Sequence, residues 1–449
     1  MLLHCTRVHW DEAGISRWLE PLAARPGELA EVFGESLRET SLSWRDGEIR
    51  DLAVRRENGV GARWRSGSEE RFVFVPGVGE SSVRDAVRSL RAAAGRSALP
   101  IRPSRGDEDG EEHPPTAEAD RWVRRLLGTF SRHAPRHRFR FRLRTTERRI
   151  VSPGRPQAVS LRRLLSVEGR FTAASRLGDE ERAFAFHAPD SEATADELRS
   201  ALSAAATPRD RPAEVPEGEH DVILAEGCAA VLFHEILSHP LEAGGDGSPL
   251  DALAGARVAA AELDVSDDPR RLDLFGGYEA DDEGTSPRAV RLVHAGVLAG
   301  RLTDRAHGGA SGSTGHGRRA GASEPPLPRG SNVVVAAGSA TSDEMTRRLQ
   351  AGLWIEEFRG GSVDLAAGSF RLHFPRARRV RRGALSDELG PGWIAGSLVD
   401  TLRRIEPVAS RRVRVCRALG WCAREGQVVP VQGESPDILI RRVAVKAER

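Results

Sequence analysis

The sequence predicts an α+β protein. An N-terminal α/β domain of repeated strand-plus-helix units is followed by a mostly antiparallel C-terminal domain, sandwich- or barrel-like, that carries a metal-binding helix. Three observations lead there. Two successive passes of strand-like segments each end in a helix-like one within the first 214 residues. Beyond residue 215 most segments alternate or run apolar over strand lengths. One apolar stretch there, "CAAVLFHEILSHPLEAG", has helical character and holds His234, Glu235 and His239.

In the first pass, "SLSWRDGEIRDLAVRRENGVGARWRSGSEERFVFVPG" reads as short strands broken at "RDG", "ENG" and "SGS", which carry turn chemistry. "SSVRDAVRSLRAAAG" then places Val83, Val87 and Leu90 at helical spacing behind a serine N-cap. The second pass runs through "RFRFRLRTTERRIV", "AVSLRRLLSVEGRFTAASRLG" and "ERAFAFHAP" to the helix "SEATADELRSALSAAA". Two such passes suggest internal pseudo-symmetry. Between them, "IRPSRGDEDGEEHPPTAEAD" has little to bury and reads as an exposed insertion, about residues 101–118. "ATPRDRPAEVPEGEH" marks a boundary, giving domains 1–214 and 215–449. In the second domain helices are expected at Cys228–His239, near Asp343–Ala351 and near Gly396–Ile405, with strands elsewhere.

Composition narrows the classes. The 449 residues exceed one ordinary domain. With 67 basic against 65 acidic residues the net charge is only +2, which argues against a dedicated nucleic-acid surface. Lys446 is the only lysine, a pattern of coding bias rather than chemistry. The start "MLLHCTRVHWDEAG" lacks the basic and apolar regions of a secretory signal, and no apolar run reaches the roughly 18 residues of a membrane span. Four cysteines (Cys5, Cys228, Cys416, Cys422) are too few for a disulfide scaffold. A cytoplasmic location is expected, with no membrane or nucleic-acid partner.

The two histidines raise a geometric difficulty. At about 100° per residue, an i, i+5 pair sits roughly 140° apart around an α-helix and cannot share one ion. A π-type turn of about 4.4 residues brings the pair back to about 50°. Pro240 disfavours the α conformation at His239, so the second histidine is expected where the helix ends. With that distortion the segment offers two imidazoles to zinc, with Glu235 beside them to take a proton from water. Without it, the segment is an ordinary apolar helix.

Surrounding segments favour the metal site. "HEILSHPLEAG", "YEADDEGTSPRAVRLVHAGVLAGRLTDR", "GSTGHGRRA", "FRGGSVDLAAGSFRL" and "LGWCAREGQVVPV" follow one another across about 200 residues. In that order they closely resemble the catalytic half of the TldD/PmbA metallopeptidases, from about His220 to Lys446. The resemblance is fainter over the first domain, where it rests on "NGVGARWRSG" and the strand-then-helix pattern. It implies His234 and His239 as Zn²⁺ ligands, Glu235 as general base and Cys422, within "GWCAREGQ", as third ligand. It further implies cleavage of unfolded or extended peptides, in maturation or degradation, by a homodimer or a heterodimer with a paralogous PmbA-like subunit. The alternative is a non-catalytic partner subunit with a structural or vestigial metal. Ser238 and Pro240 depart from the family, which usually has glycine on both sides of the second histidine.

Other residues carry weaker signals. Cys228 reads as buried packing and Cys416 as facing away from Val413 and Val415, and neither has the context of Cys422. "ADDEGT" lacks the oxygen spacing of an EF-hand and reads as a solvated turn, although by resemblance Asp281, Asp282 and Glu283 lie near the cleft. His316, in the Gly loop "STGHGRR", is either a surface residue or a neighbour of the metal. Arg318 is a candidate to hold a peptide carboxylate or carbonyl. "RGGSVDLAAGSF" reads as one strand at whose start Gly360 and Gly361 admit the backbone of an added peptide, or else form a bulge. "PRARRVRR" is a solvated basic hairpin.

Overall fold

The computed structural model describes residues 10–46, 48–95, 136–175, 178–207, 212–245 and 247–448. The insertion expected at 101–118, the amino-terminal stretch and Cys5 lie outside them.

Long paired strands build the first half, their side chains alternating between the two faces of one sheet. Ala30 and Val32 face Ala62 and Trp64 across two paired strands and fill one side of the sheet. The strands are β1 (Glu28–Arg45), β2 (Glu48–Ser66), β3 (Glu69–Pro76), β4 (Arg136–Val151), β5 (Ala158–Ser175) and β6 (Gly178–Pro189). Among the described residues they form one six-stranded antiparallel sheet in the order β3-β2-β1-β4-β5-β6. That order is two three-strand meanders placed back to back, with β1 against β4. Helix α1 (Glu12–Leu19) precedes β1, and α2 (Glu80–Ala93) and α3 (Glu192–Ala206) close the two meanders. Each meander has its own core: Val60, Val83, Val87 and Leu90 in the first, Phe139, Phe186, Leu198 and Leu202 in the second. The pseudo-symmetry expected from sequence is therefore a property of the fold.

Three local expectations need correction. Strand β2 runs straight through "ENG", pairing Asn58 with Ser36 and Gly59 with Glu35. Gly59 serves packing instead of turning, because a Cβ there would lie 2.3 Å from the Phe74 ring. The N-cap of α2 is Gly79 without a side-chain bond, while Ser82 inside the helix donates to the Pro76 carbonyl. Arg359–Phe370 is no single strand. Gly361–Asp364 and Ser369–Phe374 form a hairpin, and the first is the edge of a larger sheet.

That larger sheet has nine strands among the described residues, with β7 (Gly218–Leu224) between Ile438–Ala447 and Ala351–Ile355. A six-stranded sheet holds β8 (Val265–Asp267), flanked by β9 (Val290–His294) and Asn332–Val335. Pairing is mostly antiparallel. Two pairs are parallel: β7 with Ala351–Ile355, and Asn332–Val335 with Gln432–Ser435. Helix α4 (Cys228–Phe233) follows β7 and is buried at every position, in one core shared with both sheets. The metal candidate thus sits at the end of a helix held on every side by the core. Helices α5 (Ser342–Leu349) and α6 (Leu398–Arg403) fall where expected.

The "ADDEGT" loop joins the two halves and is no solvated turn. Asp281, Asp282 and Glu283 are at most 3% exposed. Asp281 accepts from the amides of Glu283, Thr285 and Gly317. Asp282 accepts from Arg148 on β4 and the Arg319 amide, and Glu283 from Arg63 on β2 and the Arg305 amide. Burial and the nearby Glu31 and Asp304 push the Glu283 carboxyl up to about 7, against the pull of Arg63. The acid content that reads as solvation is in fact compensation for arginines brought in from the first sheet.

Candidate metal centre

Beyond Phe233 the α-helix widens. Residues His234–Ser238 form a π-turn, in which the His239 amide donates to the His234 carbonyl five residues back. The distortion expected from the spacing is present. Pro240 does not displace His239, which keeps helical angles (φ −56°, ψ −52°) and opens a 3₁₀ turn, His239–Leu241. The chain leaves helical geometry only at Glu242.

The turn brings the two imidazoles together, with ring centroids 4.9 Å apart. The third group comes from the hairpin Trp421–Arg424 and Gln427–Pro430, where Cys422 lies opposite Val429. His239 Nε2 is 3.1 Å from Cys422 Sγ, and ligand atoms of His234, His239 and Cys422 all lie within 4.8 Å of one another. A tetrahedral zinc with bonds of about 2.0–2.3 Å places its ligands roughly 3.3–3.8 Å apart, so the set fits with small adjustments. Two imidazoles and one thiolate also match zinc in ligand type. Glu235 is half-buried at the mouth of the turn, and no hydrogen bond among the described residues holds its carboxylate.

Electrostatics separates the three described cysteines. Burial raises the Cys228 thiol well above its ordinary value and the Cys416 thiol to about 11, so both keep their protons. Burial acts on Cys422 in the same sense, but His234 and His239 outweigh it and hold the thiol at about 6. The imidazoles shift oppositely: both resist deprotonation, because Cys422 and, for His239, Glu242 outweigh the cost of burial. A thiolate facing two proton-holding imidazoles is a place where a cation can take the protons' position.

Sequence reading missed the layer behind these groups. Glu242, fully buried, lies 3.4 Å from His239 Nδ1 and accepts from the Gly330 amide (2.7 Å) and Arg424 (2.9 Å). His239, Arg329 and Arg424 hold its carboxyl far below the ordinary range. Arg329, also fully buried, donates to Cys422 Sγ at 3.1 Å and to the Cys422 carbonyl at 2.8 Å. A carboxylate on the outer nitrogen of a histidine fixes its tautomer, leaving Nε2 for the site. The available signal was Glu242 at i+3 from His239, a spacing that returns to the same helical face.

Ser238 lies beneath the turn and donates to Asp267 on β8 at 3.1 Å. Asp267 also accepts from the Ser331 and Asn332 amides and from the Ser331 hydroxyl. Gly330 makes room for this bond, since a Cβ there would lie 2.3 Å from Ser238 Oγ. His316 is neither a surface residue nor part of the ligand cluster: it is buried with Nε2 3.2 Å from Asp267. Arg318 is buried too, donating to the carbonyls of Gly330 and Pro430 and lying over the Tyr278 ring. Its guanidinium stiffens the floor under the site. Gly360 and Gly361 stand at the start of the edge strand that packs near the π-turn.

Known proteins resemble this chain in sequence over its second half and in fold over nearly all of it. Residues 217–447 match the PmbA/TldA metallopeptidase C-terminal domain. A metalloprotease of Methanothermobacter thermautotrophicus is 30% identical over 235 residues, 51% of this chain and 51% of the relative. A zinc metalloprotease TldD homolog of Saccharolobus solfataricus is 28% identical over 233 residues, 51% of this chain and 52% of the relative. The match therefore spans about half the length of these curated relatives. TldE from Thermococcus kodakarensis has the same fold over 97% of this chain and 99% of its own, with a TM-score of 0.73 at 16% identity. Through its second half, site and surrounding motifs included, the chain belongs to the PmbA/TldD metallopeptidase family.

Proposed function

We propose that this protein is a zinc-dependent peptidase acting on unfolded or extended peptides, with His234, His239 and Cys422 as metal ligands and Glu235 as general base. The division of labour falls near residue 215, the second domain carrying the chemistry. The observation that carries the reading is the π-turn, which sets both imidazoles against a depressed-pKa thiol and leaves Glu235 free beside them. Zinc held there supplies Lewis acidity toward a peptide carbonyl and toward water. Glu235 accepts the proton of the attacking water on its carboxylate and passes it to the departing amine. Glu242 and Arg329 keep His239 and Cys422 in register while this happens. The exposed edge strand Gly361–Asp364 suits an extended peptide, whose backbone pairs with it. Names of the relatives support the peptidase and zinc readings.

A dimer, either of this chain or with a paralogous PmbA-like subunit, is the assembly we propose, in a reducing cytoplasm where the described cysteines stay free. No helix among the described residues is long and apolar enough to cross a membrane. The likeness of fold to TldE keeps a second reading in view, a non-catalytic partner subunit with a structural metal. Metal content and cleavage of unstructured peptides, measured for wild type and Glu235→Ala with the partner present, separate the two. Zinc retained with activity lost supports the general base, whereas a wild-type pair that cleaves no unstructured peptide rules out the enzyme.

A further inference from the structure

Strand β4 alternates two kinds of residue. Phe139 and Phe141 point into the core under α3, so Arg138, Arg140, Arg142 and Arg144 share the opposite face. The stripe starts at Trp421, whose ring centre lies 5.0 Å from the Arg144 guanidinium; Trp421 is next in sequence to Cys422 and faces the other side of that strand. Arg144 and Arg142 have carboxylate neighbours, Glu39 and Glu168. Arg140 and Arg138 are exposed and have none among the described residues.

At the far end of the stripe the register does something costly. Arg138 lies directly opposite Arg45 on β1 and directly opposite Arg170 on β5, making a ladder of three arginines across three strands. Adjacent strands are about 4.8 Å apart, and like charges directly opposite each other destabilise a sheet. The outer two pair only with exposed acids, Arg45 with Asp46 and Arg170 with Glu181, and such surface pairs contribute little. These three, with Arg50 and Arg140, line a cleft of about 490 Å³ whose one carboxylate is Glu168.

We infer that this cleft is an anchoring site for an acidic segment of the peptide substrate, bound in extended form. The inference rests on the peptidase reading for its occupant. It adds a substrate class, peptides carrying acidic residues away from the cleaved bond. Arginines two apart on β4 recur every ~6.8 Å, the same repeat as alternate side chains of an extended peptide. Arg138 is six residues from Arg144, so the cleft lies ~20 Å along the strand from the Trp421 contact. The glutamates of such a segment lie outside the bond-cleaving site, several extended residues from the scissile bond. Guanidinium–carboxylate pairing supplies the recognition.

The test uses the full chain carrying Glu235→Gln, to prevent turnover, and fluorescence anisotropy of two labelled 14-residue peptides. One has glutamate at alternate positions in one half, and the other has glutamine there. The expected result is tighter binding of the glutamate peptide, lost about tenfold on adding Arg138→Gln and Arg140→Gln, with glutamine-peptide binding unchanged. Relieving the ladder also leaves the variant at least as heat-stable as its parent, which excludes misfolding as the cause. Equal binding of the two peptides, or binding unaffected by the substitutions, overturns the inference. So does an oligo-deoxythymidine that binds the same arginines and displaces the peptide, since the ladder then serves nucleic acid. Cleavage of the glutamine peptide by the wild-type pair is scored separately, so peptidase activity without glutamate preference removes only this inference.

Discussion

Replacing Glu242 by glutamine is the most informative single perturbation of the centre. The carboxylate is fully buried and accepts from the Gly330 amide and Arg424, with His239 Nδ1 at 3.4 Å and Arg329 at 3.6 Å. Every neighbour is a donor. A glutamine amide of the same shape keeps one accepting oxygen but turns its NH₂ toward at least one of them. Buried Arg329 loses its counter-charge, while half-buried Arg424 keeps Glu425, and breaking a buried pair costs about 3–5 kcal/mol. His239 loses the group that holds its proton on Nδ1, and changes of this kind weaken metal binding about 10–100-fold, or roughly 1.4–2.7 kcal/mol. Urea unfolding of the metal-free variant measures the first loss, and zinc competition against a chromophoric chelator measures the second. Stability lowered by a few kcal/mol together with weakened zinc binding is the expected pair of results. Unchanged zinc affinity, in a protein that Cys422→Ala deprives of zinc, refutes the orienting role.

Three further outcomes follow from the same geometry. Cys422→Ala is expected to lose the metal and Cys416→Ala to keep it, because the Cys416 thiol is held at about 11 and the Cys422 thiol at about 6; metal analysis after dialysis checks both. His187 packs between Phe275 and Trp421, and burial, aided by Arg142, pushes it down to about 4 from 6.5, while half-exposed Glu168 at 3.7 Å fails to offset the lost water. Its folded-state value is depressed, so its contribution is complete above pH 6.5 and is lost as pH falls toward 4, about 3 kcal/mol in all. Urea unfolding between pH 7.5 and 4.5 shows that loss, and His187→Phe flattens it. Ser238→Ala removes one of several bonds to Asp267 and is expected to cost about 1 kcal/mol in the same assay, with zinc still bound.

The α+β class, the repeated first half and the distorted helix were legible because each is written in local periodicity. Val83, Val87 and Leu90 need only the 3.6-residue repeat to be placed, and His234 and His239 need only the number five. Legibility ended where a residue's meaning depends on what the fold packs against it. "ENG" carries hairpin chemistry, yet Gly59 is glycine because the Phe74 ring lies over it in the next strand. "ADDEGT" has the composition of a solvated turn, yet Arg63 and Arg148 arrive from strands more than a hundred residues away. The lesson for Arg318 is similar: its charge suggested a ligand for substrate, and the fold spends it on two backbone carbonyls. Glu242 offered only its i+3 spacing from His239 and Arg329 no signal at all, since a carboxylate and a guanidinium 87 positions apart become partners only once Gly330 closes on the turn.

The five-residue spacing changes which residues flank the first histidine. In an α-helix those are the third and fourth after it, about 60° to one side and 40° to the other. In a π-turn of about 4.4 residues, Ser238 falls about 33° to one side of His234 and His239 about 50° to the other. As in an α-helix, two side chains flank the first histidine, each one position later in sequence. The structure uses both: His239 points to Cys422, and Ser238 reaches the buried Asp267 on β8. The residue before the second ligand thus fastens the turn to the sheet. It follows that Ser238 holds the turn to the sheet through Asp267, on the side of His234 away from His239 and Cys422.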